Sequence, residues 1–138
     1  MILLDTNVVS ALMEARETQV LKWLDGQPKA SIWITSITVM EIRYGLQIMN
    51  LGRRREALAK AFQDVLELDI EQRIVPFDAA AGQQAGELMA ERKMRGRVMD
   101  IRDTMIAGIA LATRATLATR NTAHFADLTV PVINPWAA

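Results

Sequence analysis

The chain opens on an apolar triplet, residues 2–4, cut off by Asp5-Thr6-Asn7, which predicts a short buried strand running into a turn. Helical spacing follows over 8–14 and again around Val20, Leu21, Trp23 and Leu24, until Gly26 and Pro28 break it. Ser31-Ile32-Trp33-Ile34-Thr35 has strand composition between polar ends, so a second strand is expected at 31–35. A helix over 37–49 comes next, closed by Asn50 and Gly52. Ala57, Leu58, Ala61, Phe62, Val65 and Leu66 recur at helical spacing and predict one amphipathic helix over 53–68.

Residues 73–76 read as a short strand. Ala81, Ala85, Leu88 and Met89 then mark one face of a helix over 78–94 that ends at Gly96. The stretch 103–113 is apolar almost all round, the signature of a buried helix. Its small residues, Ala107, Gly108, Ala110 and Ala112, predict close packing against the sheet. A strand at 115–119, a short turn or helix at 122–126 and an edge strand at 130–133, where Pro131 is tolerable, complete the chain. Strands alternating with helices predict an α/β fold. A central, mostly parallel sheet would be flanked by helices on both faces and joined by right-handed crossovers. At 138 residues, with no repeat or linker, the expectation is one domain over 1–138.

Composition narrows the chemistry. Cysteine is absent and His124 is the one histidine, which excludes disulfides, a thiolate nucleophile and a multi-histidine metal site. No Gly-x-Ser-x-Gly elbow or glycine-rich phosphate loop occurs. The start, Met1-Ile2-Leu3-Leu4-Asp5, offers no basic leader, and no apolar run reaches membrane-spanning length, so a cytoplasmic location is expected. Sixteen basic and sixteen acidic residues balance, leaving no global field to attract nucleic acid. The local basic clusters, Arg53-Arg54-Arg55 and Arg92, Lys93, Arg95, Arg97 and Arg102, read first as solvated helix ends. Arg43, Arg92 and Arg120 are candidate phosphate contacts.

In a parallel sheet, ligands gather beyond the carboxyl ends of the strands. Asp5 and Asn121 follow strands closely and belong at that edge. Asp5 could equally cap a helix. Glu41 borders a stripe of Ile37, Met40, Tyr44 and Ile48 that would face the core; alternatively, Thr38 and Glu41 form a capping box at the helix start. Asp103 opens the apolar helix, where the macrodipole favours an acid, and Asp100 could share its face or act as N-cap. Together, Asp5, Glu41 and Asp103 suit Mg²⁺, or Mn²⁺, bound through one or two carboxylates with water in the remaining positions. Such a cation would activate water and neutralise charge on a phosphate.

Four blocks carry a resemblance: Leu4-Asp5-Thr6-Asn7; Glu41-Ile42-Arg43-Tyr44-Gly45; Asp103-Thr104-Met105-Ile106-Ala107; and Leu117-Ala118-Thr119-Arg120-Asn121 with Phe125. In this order the chain resembles the PIN domain, and more narrowly the VapC and FitB-like toxins of toxin–antitoxin pairs. The terminal Val132-Ile133-Asn134-Pro135-Trp136 is similar to the same subgroup. The resemblance implies a Mg²⁺-dependent endoribonuclease that hydrolyses RNA phosphodiester bonds by metal-activated water. Asp5 and Asp103 match its principal metal-binding acids and Glu41 its other well-marked acid. Asn121 stands where many relatives have a fourth acid, and His124 where they often have Asp. Implied partners are a cognate antitoxin reaching arginine over the acidic groove, RNA, operator DNA through the antitoxin, and a second toxin copy in a homodimer. The alternative is a non-catalytic partner of the same fold that assists an antitoxin on operator DNA. A phospho-accepting receiver is disfavoured, because Asp5 has no acidic neighbour and no lysine follows Lys93.

Overall fold

The structure is a computed structural model describing residues 1–138. Five strands, β1 (Ile2–Leu4), β2 (Ile32–Thr35), β3 (Ile74–Val75), β4 (Thr116–Ala118) and β5 (Val132–Ile133), form one sheet in the order β3-β2-β1-β4-β5. Every pairing is parallel. Strand order reverses between β1 and β4, which opens a crevice at their carboxyl ends.

Alternation along the strands sends neighbouring residues into opposite cores. Leu4, Ile32, Ile34 and Ala118 enter one core with Val8, Val9, Phe62, Val65 and Ile70. Leu3 and Leu117 enter the other with Leu88, Ile106, Ile109 and Phe125. The first core is covered by α1 (Thr6–Glu14), α2 (Thr18–Asp25) and α4 (Arg53–Asp64). The second is covered by α5 (Ala79–Met94) and α6 (Ile101–Thr113). Between them, α3 (Ser36–Ile48) gives Ile37 to the second core and Ile42 and Leu46 to the first. That bridging position carries its flank along the carboxyl edge of the sheet. No helix is long and apolar enough to cross a membrane.

Several expectations are corrected. The inward face of α3 is Ile37, Thr38, Ile42 and Leu46, whereas Met40, Tyr44 and Ile48 are exposed. Thr35 caps this helix, its Oγ1 accepting from the Thr38 N–H at 3.1 Å. Glu41 therefore lies too far along for a capping box. The helix expected over 53–68 ends at Asp64 and widens into a π-type turn, Val65–Asp69, in which the Ile70 N–H donates to the Val65 carbonyl at 2.8 Å. This turn leaves Val65, Leu66 and Ile70 all buried. α6 starts two residues earlier than expected, because Asp100 caps it by accepting from the Arg102 and Asp103 N–H groups.

The small residues of α6 serve helix–helix contact as well as sheet packing. A Cβ added at Gly108 would lie 2.6 Å from the Ala81 carbonyl oxygen and 2.8 Å from the Ala85 Cβ, so α5 and α6 meet backbone to backbone there. Arg92, expected as an exposed phosphate contact, is only 2% exposed. Its Nε and Nη2 donate to the two Asp127 carboxylate oxygens at 2.9 Å each, Nη1 to Thr104 Oγ1 at 3.2 Å and Nη2 to the His124 carbonyl at 3.0 Å. A guanidinium so enclosed must have its donors met, and this fork meets them.

Candidate active site

Asp5 leaves β1 at the crevice and caps α1. Its Oδ1 accepts from the Thr6 N–H at 2.8 Å and its Oδ2 from the Thr119 hydroxyl at 2.7 Å, with the Asn7 amide 3.4 Å away. Thr119 follows β4, so the two strands at the switch point jointly hold this carboxylate. Its residue is just 4% exposed. Burial is the main cause that pushes the Asp5 carboxyl up to about 6. The negative charges of Asp103 and Glu41 raise it further, against the two hydrogen bonds from Thr119 and Thr6. Three distant acids thus act on one another across one small region.

Glu41 projects from α3, and its Oε1 accepts from the Thr6 hydroxyl at 2.8 Å. The same hydroxyl lies 3.0 Å from Thr38 Oγ1. Thr6 and Thr38 therefore support Glu41 from α1 and from its own helix. Arg102 Nη1 approaches Glu41 Oε2 at 3.7 Å while the same side chain pairs with Asp100 at 3.2 Å. Asp103, in the first turn of α6, receives His124 Nδ1 at 3.1 Å. Asn121 is exposed; its N–H donates to Thr119 Oγ1 at 3.0 Å, and its side-chain amide adds no capping bond to the short helix Thr122–Phe125.

Asp5, Glu41 and Asp103 are brought together, and Asn121 stands at the adjoining strand end. No three acidic or histidine side chains close tightly enough to grip one ion directly. The donor set fits a hard divalent cation of the kind that keeps several waters and takes one or two carboxylates. It does not fit a dehydrated all-protein cage. Asp5 and Asp103 would be the holding acids, with Glu41 held off by Thr6.

Sequence reasoning missed the supporting hydroxyls. Thr6, Thr38 and Thr119 orient the acids, and Asn7 bridges Asp5 to the next loop by accepting from the Arg120 N–H at 3.2 Å. For Thr6, Asn7 and Thr119 the signal was present in Asp-Thr-Asn and Thr-Arg-Asn, polar residues directly after apolar strands; Thr38, inside α3, carried no such signal. Arg43 lies over the Phe62 ring at 5.0 Å, which ties it to α4.

The family model described as PIN domain matches residues 2–130. The chain is 37% identical over 137 residues to VapC ribonuclease Y4jK of Sinorhizobium fredii, covering 99% of this chain and 98% of that one. It is 31% identical over 137 residues to Toxin FitB of Neisseria gonorrhoeae, covering 99% of each. Among solved structures, VapBC2 from Rickettsia felis bound to a DNA fragment from its promoter superimposes with a TM-score of 0.83 at 26% identity, covering 97% of this chain and 98% of that one.

Proposed function

The chain belongs to the PIN-domain family, and from that premise we propose that it is a metal-dependent endoribonuclease, the toxin of a toxin–antitoxin pair. The observation that carries this reading is the buried Asp5 carboxylate, whose proton affinity is raised by burial and by Asp103 and Glu41. A divalent cation would offset both the cost of burying this charge, which is the larger effect, and the smaller repulsion from Asp103 and Glu41. Relatives named ribonuclease and toxin over nearly the whole chain support the same reading.

Bound at Asp5 and Asp103, Mg²⁺ or Mn²⁺ would supply a water of lowered pKa and offset charge building on the phosphate oxygens. The chain's own residues do the rest. Thr6 and Thr119 hold Asp5 ionised and fixed by donating to both of its oxygens. Glu41, anchored by the Thr6 hydroxyl, faces the same region and would orient the attacking water. Asn121 is a neutral donor and acceptor beside them, suited to positioning water or a phosphate oxygen without adding negative charge.

An antitoxin would silence the site by presenting arginine to these carboxylates, a charge-assisted pairing that competes with the cation. By analogy with VapBC2 on its promoter fragment, such a complex would bring this chain to operator DNA. The family expectation is a toxin homodimer inside that assembly. The substitution of a neutral amide at position 121 favours one second reading, a non-catalytic partner that tightens antitoxin binding to DNA.

The purified protein, free of antitoxin, should cut single-stranded RNA in Mg²⁺ and stop on chelation. Asp5→Ala and Asp103→Asn should abolish cutting with circular dichroism unchanged. Parental cleavage by either variant would refute the assignment of these acids. No cleavage by the parent, together with a gel shift that tightens when it joins the antitoxin, would favour the second reading.

A further inference from the structure

Arg120 follows Thr119 at the carboxyl end of β4, on the rim beside Asp5. Its N–H donates to Asn7 Oδ1 at 3.2 Å, and the Asn7 amide reaches back to Asp5 Oδ2 at 3.4 Å. The rim thus lies two hydrogen bonds from the buried carboxylate. The Arg120 guanidinium lies over the Trp136 ring, 4.9 Å from its centroid. Trp136 is itself anchored. Its N–H donates to Asn134 Oδ1 at 2.9 Å, its indole N–H donates to the Glu17 carboxylate, and its ring packs on the core that holds Leu4 and Phe62.

A guanidinium resting on an aromatic ring is covered on one side and oriented at low entropic cost. Arg120 nevertheless keeps 58% of its side chain exposed. Its charge is partly answered, since Glu17 Oε1 lies 3.9 Å from Nη1. A phosphate approaching that pair would meet Glu17 as a repulsive neighbour. A nucleobase would not, and bases of single-stranded RNA stack on arginine planes as they do on aromatic rings.

We propose that Arg120, backed by Trp136, is a stacking platform for a base of single-stranded RNA next to the scissile phosphate. The platform rests on the ribonuclease reading and deepens it. Stacking tolerates different bases, so the platform would position the strand without specifying one sequence. Glu17 and Trp136 act through Arg120 and are positioning residues.

The test uses a short oligoribonucleotide whose cleavage position has been mapped, and its twin with an abasic ribose flanking that position. Binding is read by fluorescence anisotropy with Ca²⁺ replacing Mg²⁺ so that the strand stays intact. For the parent protein, removing the base should weaken binding about tenfold, the scale of one stacked base. For Arg120→Ala and Trp136→Leu the same removal should cost less than about twofold, because no platform remains to lose. Arg120→Lys keeps the charge without the plane and should behave as Arg120→Ala does. Equal loss of both oligonucleotides in Arg120→Ala, or full base dependence in Arg120→Lys, would show a phosphate contact and overturn the platform. A parent that cuts RNA yet ignores the missing base overturns the platform alone. A parent that neither binds nor cuts RNA overturns the ribonuclease reading and the platform with it.

Discussion

At the scale of single residues, the candidate site works against stability. Asp5 is ionised in a place that resists ionisation, and its carboxyl is pushed up to about 6 by burial first and neighbouring acids second. The native state therefore holds this proton more tightly than the unfolded chain does. The resulting penalty is absent below pH about 4, grows between pH 4 and 6 and is complete above 6. Asp5→Asn should accordingly raise unfolding free energy at pH 7 in metal-free buffer by on the order of 2 kcal/mol, while cleavage is lost. The amide can still accept from the Thr6 N–H and can donate to Thr119. Denaturant titrations at pH 4 and pH 7 measure the effect; an equal gain at both would sink the electrostatic account.

Asp127 has the opposite sign. Hydrogen bonds from Arg92 hold its carboxyl below the ordinary range. Its contribution is present above pH about 4 and is lost as pH falls through its depressed pKa. Arg92→Leu would leave Asp127 without its partner in a side chain only 9% exposed, and should cost about 3–5 kcal/mol at neutral pH. Thermal melts of the two proteins should converge on acidification.

At the scale of elements, the closest contact is the one between α5 and α6. Alanine is ordinarily better than glycine inside a helix by about 1 kcal/mol. At position 108 the added methyl meets the Ala81 carbonyl oxygen at 2.6 Å and the Ala85 Cβ at 2.8 Å, and neither can swing aside. Gly108→Ala should therefore destabilise by roughly 1–3 kcal/mol despite its helix propensity. Since α6 also presents Asp103, the same variant should lower cleavage more than its lost stability alone accounts for. Chemical denaturation paired with cleavage assays well below the melting temperature separates the two effects.

At the scale of the molecule, the crevice should couple cation binding to folding. A cation that binds only the native state stabilises it by mass action, by about 2.7 kcal/mol at a hundredfold excess over its dissociation constant. Mg²⁺ should thus raise the melting temperature of the parent at pH 7 and do so less at pH 5, where Asp5 is largely protonated. Asp5→Asn should remove that response. Scanning calorimetry with and without chelator reads it directly; a Mg²⁺ shift that survives in Asp5→Asn would place the cation elsewhere.

Local chemistry determined much of this molecule from sequence. Apolar triplets bounded by polar turns marked the strands, glycines and a proline marked the stops, and the alternation of strand and helix led to a parallel sheet. Acids placed directly after a strand, or in a helix's first turn, lay at the edge where the crevice forms, so Asp5 and Asp103 were legible. Which side of α3 turns inward was not. That helix carries two apolar stripes, one through Met40, Tyr44 and Ile48 and one through Ile42 and Leu46, and hydrophobicity alone cannot choose between adjacent faces. The choice came from neighbours far away in sequence. Position in three dimensions likewise decided that Arg92 is a buried clamp on Asp127, and that three threonines hold the acids in place. Sequence sets what each segment can bury and where it must turn, because those preferences are local. The partners of a buried charge are drawn from whatever the closed fold brings beside it.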